Sequence, residues 1–251
     1  MAGLIDSYKK VYENKKNHIW IFLIVFLWSV LSNLYDIAIG KPDTVRQNPF
    51  DLVFNFLAGI YSIQFLHNII LTNGSFPSLK EINWKALPGL IGLNIVWGFY
   101  LAVALILAVV SYFILHSLVL PVVLFILILL LSVFVYYIYF AYAENFVTKG
   151  LLNLRLIFDF IKVSAKETYI KLGLFVLFTV AVIIVYLMIY VLSTLIGLDE
   201  IFHIAGDYYL FDMIMYSLIG YFLIVTWFFA FPYSLINAYI KKVRPVIGEN
   251  K

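Results

Sequence analysis

Fifty-eight consecutive residues, Ala86 to Ala143, contain no Asp, Glu, Lys or Arg. As one helix at 1.5 Å per residue this block would run about 87 Å, nearly three times the ~30 Å hydrocarbon core of a bilayer, so it must fold back. His116, Ser117 and Pro121 supply the turn. Four more uncharged blocks follow the same logic: Asn17 to Tyr35, Leu52 to Leu79, Leu172 to Leu198 and Met213 to Ile240. The expected fold is therefore all-α, one integral membrane domain over 1–251. It has six transmembrane helices, near 18–38, 50–72, 87–115, 119–146, 169–197 and 211–240. With 12% charged and 64% hydrophobic residues, the chain is far from the roughly 25% and 45–50% of soluble domains. Cysteine is absent, which removes disulfides, thiolate metal sites and cysteine nucleophiles together.

Lys9, Lys10, Lys15 and Lys16 ahead of the first apolar run resemble a secretory signal. The run is too long for such an h-region and no small-residue cleavage site follows, so the segment is expected to be retained. Orientation follows from the connections. Fifteen of the 17 Lys and Arg residues fall on one face, and only Lys41 and Arg46 fall on the other. By the positive-inside rule both termini and the connections after spans two and four are cytoplasmic, in a multi-pass protein of the cell (inner) membrane. The net charge of only +3 gives a nucleic-acid partner no support.

Two amphipathic segments accompany the spans. At 100° per residue, Arg155, Asp159, Lys162 and Lys166 form a narrow stripe on an otherwise apolar helix at 151–167. The expectation is a surface helix whose Arg155, Lys162 and Lys166 contact anionic lipid headgroups. Leu4, Ile5, Tyr8, Val11 and Tyr12 share one face of a similar interfacial helix at 3–16. Short echoes suggest three parallel two-span repeats: "KEINWK" at 80–85 and "KETYIK" at 166–171 precede odd spans, with "YENKKN" a looser copy at 12–17. "FAYAEN" and "FPYSLIN" close even spans, at Asn145 and Asn237, each with a Lys four residues later.

No reaction can be read from the chain. His18, His67, His116 and His203 show no metal-ligand spacing. No GxSxG, Walker A or dinucleotide glycine pattern occurs, so no catalytic, cofactor-binding or metal residue is nominated. Span two is the polar exception. Asp51, Asn55 and Ser62 lie on one side, with Gln64, His67 and Asn68 opposite. They either open a hydrophilic cavity or bond neighbouring helices. Glu144 and Asn145 fall where span four meets the interface. Asn237 is expected to bond a neighbouring helix or a headgroup. Pro232 removes one backbone hydrogen bond from span six and marks a kink.

Six spans, surface helices before the odd ones, and the exit "FFAFPYSLINAYIKK" resemble a group of prokaryotic membrane families. These include domains of unknown function and the membrane domain attached to some glycerophosphoryl diester phosphodiesterases. The resemblance implies a six-span membrane domain without the phosphodiesterase activity, and it supplies no catalytic residues. Mitochondrial carriers also have three parallel two-span units, but "KPDTVR" lacks their Pro-x-acidic-x-x-basic signature. The expected role is a non-enzymatic scaffold, anchor or accessory component, in contact with lipid and other membrane proteins. The alternatives are a transporter or permease subunit, and an intramembrane enzyme built from Asp51, His67 and Glu144.

Overall fold

The computed structural model describes residues 3–13, 15–38, 49–72, 77, 81–115, 119–197, 203–205 and 208–249. A short amphipathic helix, α1 (Leu4–Tyr12), leads into α2 (Lys15–Ala38) and α3 (Pro49–Thr72). A 3₁₀ turn at Trp84–Ala86 opens α4 (Leu87–Leu115), which packs on α5 (Val119–Ser132). The helices thus reverse between residues 115 and 119. His116 and Ser117 lie outside the described residues, and Pro121 sits in the first turn of α5, where its missing N–H costs nothing. A tightened turn at Val133–Phe134, bonded Phe134 N to Leu131 O and Tyr137 N to Phe134 O, joins α5 to α6 (Val135–Asn145).

Helix α7 (Arg155–Leu195) is one uninterrupted helix of 41 residues, about 62 Å long. This corrects the expectation of a surface helix at 151–167 followed by a separate span at 169–197. Gly150, at φ 82°, turns the chain, and Asn153 Oδ1 accepts the Arg155 N–H at 2.9 Å, so the helix starts after that turn. No Pro or Gly then occurs before Gly173 to break it at 167. Its charged first half and apolar second half share one axis.

The chain closes through an antiparallel ribbon, His203–Ala205 with Tyr208–Tyr209, and a composite helix. That helix comprises α8 (Leu210–Ile224), a π-helical segment Val225–Ala230, α9 (Phe231–Ala238), a second π segment Tyr239–Val243 and α10 (Arg244–Glu249). Pro232, where a kink is expected, lies in the first turn of α9, directly after the π segment.

Five described helices are long and apolar enough to cross a membrane: Val53–Leu71, Trp84–Ser111, Val119–Asn145, Arg155–Leu195 and Met213–Ile247. The sixth expected span lies in α2, where the apolar stretch His18–Ser32 is shorter. Such helices mark a membrane protein. Packing is uneven along them. Helix α5 buries no residue, while α6, directly after it, buries Tyr137, Ile138, Phe140, Ala141, Tyr142 and Ala143. Fully enclosed Phe65, Phe134, Phe140, Phe160, Phe175 and Phe231 gather α3, α6, α7 and α9 into one aromatic core. The outer parts of α4, α5 and α7 present Leu107, Phe113, Val119, Leu177, Met188 and Leu195 outward, where hydrocarbon is the fitting solvent.

The expected interfacial helix at 3–16 is helical over Leu4–Tyr12, and of its apolar face Tyr8 and Val11 meet protein while Ile5 stays exposed. Val11 is fully buried, Tyr8 stacks near Phe175 with ring centroids 6.0 Å apart, and Tyr8 Oη lies 2.6 Å from Thr226 Oγ1. The repeat motifs differ locally: "KEINWK" runs into a 3₁₀ turn ahead of α4, whereas "KETYIK" lies inside α7.

Candidate functional site

Ser62, Gln64, His67 and Asn68 of α3 are hydrogen-bonded. Ser62 Oγ donates to the Phe228 carbonyl at 3.2 Å. Gln64 donates to Asn68 Oδ1 at 3.1 Å and accepts from the Asn83 N–H at 3.2 Å. His67 Nδ1 lies 2.6 Å from the Ala143 carbonyl, which can only accept, so Nδ1 carries the proton. Asn55 is exposed. Asp51 lies in α3, with its side chain outside what is described. His67 meets the backbone of α6 at Ala143, and Glu144 faces the C-terminal helix.

Phe228 is also the residue four before Pro232, whose missing N–H frees a carbonyl there. The neighbouring Trp227 carbonyl accepts from Tyr136 Oη at 3.0 Å. Side chains of α3 and α6 thus bond to two adjacent carbonyls of the π segment beside the position of the missing Pro232 N–H.

Where α6 ends, two ionic groups face the C-terminal helix. Glu144 accepts from Tyr239 Oη at 2.6 Å and pairs with Arg244. Glu167 pairs with Lys171 at 2.7 Å and with Lys242 at 3.1 Å, and the buried Lys171 ammonium also donates to the Ser234 carbonyl. Burial tends to raise the Glu167 carboxyl, but the hydrogen bonds and charges of the two lysines outweigh it and hold it below the usual carboxylate range. Asp159 pairs with Lys162 at 3.3 Å. Arg155, Lys162 and Lys166 are exposed on the charged half of α7.

Between the end of α6 and the C-terminal helix lies a pocket of about 250 Å³. Glu144, Asn145, Lys149, Tyr239 and Arg244 form its polar wall. Ala141, Val147, Leu151 and Ile247 form the apolar one. Phe146, at φ 54°, gives it this shape. The left-handed conformation, costing on the order of 1–2 kcal/mol for a non-glycine residue, ends α6 and turns the chain into the loop that carries Val147 and Lys149. Packing of its ring 4.6 Å from His67 and 5.9 Å from Tyr142 holds it there.

Sequence reasoning found Glu144, Asn145, His67 and Pro232 but missed Lys149, Lys171, Tyr239 and Arg244 as their neighbours. The i, i+4 spacing of Glu167 and Lys171 was a usable signal. The pairing of Glu144 with residues 95 and 100 positions away had none. Asn237, expected to bond a helix or headgroup, makes no side-chain hydrogen bond among the described residues. Ser234, one turn earlier, makes the polar contact instead, its carbonyl accepting from Lys171. His18 sits between Tyr221 Oη, 2.8 Å from Nδ1, and the Val11 carbonyl, 2.6 Å from Nε2. Among the described residues no group of three or more His, Cys, Asp or Glu could hold a metal.

The fold defines a helical membrane protein. Comparison with protein-family models, curated proteins and solved structures finds no match to this chain.

Proposed function

We propose that this chain is a non-enzymatic membrane scaffold or anchor, crossing the inner membrane six times with both termini in the cytoplasm. The observation that carries the reading is the use of the polar groups of α3. Ser62, Gln64 and His67 are engaged by Phe228, Asn83 and Ala143, so the helix most suited to lining a solute path is bonded to its neighbours. Interhelical hydrogen bonds of this kind are worth about 0.6 kcal/mol on average, which suits packing. The sixth span is assigned to α2, whose 24 residues reach about 36 Å. The three-repeat reading is kept with it. Helix α2 touches α3, α4 packs on α5, and α7 touches α8, as two-helix units require.

The chain contains no cysteine, so single cysteines introduced at Ser62, Gln64 and Asn68 report solvent access directly. A scaffold protects Ser62→Cys, the position deepest in the helix, from a hydrophilic thiol reagent applied to either side of sealed vesicles, with Gln64→Cys and Asn68→Cys as references nearer the interface. Rapid modification of Ser62→Cys would replace this reading with the permease.

A further inference from the structure

We infer that the pocket between the end of α6 and the C-terminal helix is a binding site for a phosphate-bearing amphiphile, seated by Lys149, Arg244 and Asn145. The inference is independent of the scaffold reading, because it uses none of the α3 groups.

Three observations converge. The first is unspent donor capacity. Lys149 is exposed and makes no ion pair among the described residues. Asn145 is exposed at the rim. Arg244 gives one edge of its guanidinium to Glu144 while its side chain stays 50% exposed, leaving N–H groups of the five-donor fork free for a second acceptor. With Lys149, Arg244 and Glu144 charged, the wall is net +1, and a guanidinium fork beside an ammonium matches phosphate oxygens in geometry and charge. Glu144, itself held by Tyr239, fixes the guanidinium at the pocket and acts as a positioning residue.

The second is amphiphilicity. The apolar part of the lining, Ala141, Val147, Leu151 and Ile247, offers nothing to an inorganic anion but fits the first carbons beyond a phosphodiester. The third is level. From Val119 to Glu144 the α5–α6 rod covers 26 residues, about 39 Å. If Val119 lies at the far edge of a ~30 Å hydrocarbon core, Glu144 falls in the headgroup layer, since headgroups bring a bilayer to about 40–45 Å. Phe146, held in the left-handed conformation at φ 54°, lies between the lining residues Asn145 and Val147, and backbone strain of this kind is found at ligand clamps.

The test uses the full-length chain in detergent, delipidated and then incubated with an equimolar mixture of phosphatidylglycerol and phosphatidylcholine for the lipid measurement. Native mass spectrometry counts retained phosphatidylglycerol against phosphatidylcholine, and melting temperature follows titration with inorganic phosphate. Lys149→Gln alters a side chain with no structural contact, so it should melt with the parent. Lys241→Gln, exposed but outside the pocket, is the control. Lys149→Gln is expected to lower phosphatidylglycerol retention about fivefold, the effect of one lysine's attraction to anionic lipid, with Asn145→Ala giving a smaller loss and Lys241→Gln none. Should inorganic phosphate raise the melting temperature in a Lys149-dependent way while lipid retention stays constant, the phosphate belongs to a soluble compound and the site stands. Equal effects of Lys149→Gln and Lys241→Gln, or no effect of either probe that depends on Lys149, overturns the proposal.

Discussion

At Gly89 the absence of a side chain is a packing requirement. A Cβ there would lie 2.8 Å from Tyr142 Cε2, in the place where Tyr142 reaches across to bond the Ala86 carbonyl. Gly89→Ala should therefore destabilise the detergent-solubilised chain by about 1–3 kcal/mol through overpacking. Gly92→Ala, with open space around it, should be neutral or mildly stabilising, because alanine is the better helix former. Thermal unfolding of the two variants side by side checks this. Glu167 gives a pH-dependent counterpart. Its folded pKa is held below the ordinary value by Lys171 and Lys242 against the opposing effect of burial. Its contribution is thus complete above the unfolded carboxylate pKa of about 4.3 and is lost as pH falls through the lower folded value. The stability gap between the parent and Glu167→Gln should stay constant from pH 7 to 5 and close on further acidification. A gap unchanged down to pH 2 would show that the carboxylate's charge contributes nothing. At this scale the sequence was readable for residue type and unreadable for partners. Nothing local to Glu144 or Gly89 announces Arg244 or Tyr142, since those contacts depend on how helices far apart in the chain are packed.

At the scale of single elements, uncharged runs located α4, α5 and the apolar half of α7, because bilayer thickness sets helix length. They could not locate the lower end of α7. A change from apolar to charged sequence marks a change of solvent, and a helix continues through it unless a glycine, proline or cap intervenes. Pro232 was legible as a disturbance, but its resolution into a π segment depends on donors from two other helices. That dependence is measurable. Ser62→Ala should cost about 0.6 kcal/mol, the mean for interhelical hydrogen bonds in membranes, by removing the donor to the Phe228 carbonyl. In a Pro232→Ala background the restored N–H competes for the same carbonyl, so Ser62→Ala should cost less. A double-mutant cycle read by unfolding in detergent gives the coupling. Strict additivity would mean that Ser62 and Pro232 act on the π segment independently.

Among the described residues an aromatic core gathers α3, α6, α7 and α9, while much of α4, α5 and the second half of α7 is exposed and apolar. Fifteen of 17 Lys and Arg residues lie on the face assigned to the cytoplasm, and the exposed Lys162 on α7 belongs to that set. At the other end of the same helix, Ile196 is 72% exposed in the turn after Leu195. These two positions are 34 residues apart in sequence on one continuous rod, a separation of about 51 Å. That exceeds the roughly 40–45 Å of a bilayer with its headgroups, so the rod reaches both aqueous faces even at a tilt of about 20°. Two single-cysteine chains convert the geometry into topology. In intact cells an impermeant maleimide should label Ile196→Cys at once and Lys162→Cys only after permeabilisation. The reverse pattern would invert the orientation and set the basic excess against the positive-inside rule. Labelling of both from outside would mean that α7 does not cross, and the six-span arrangement would fall with it.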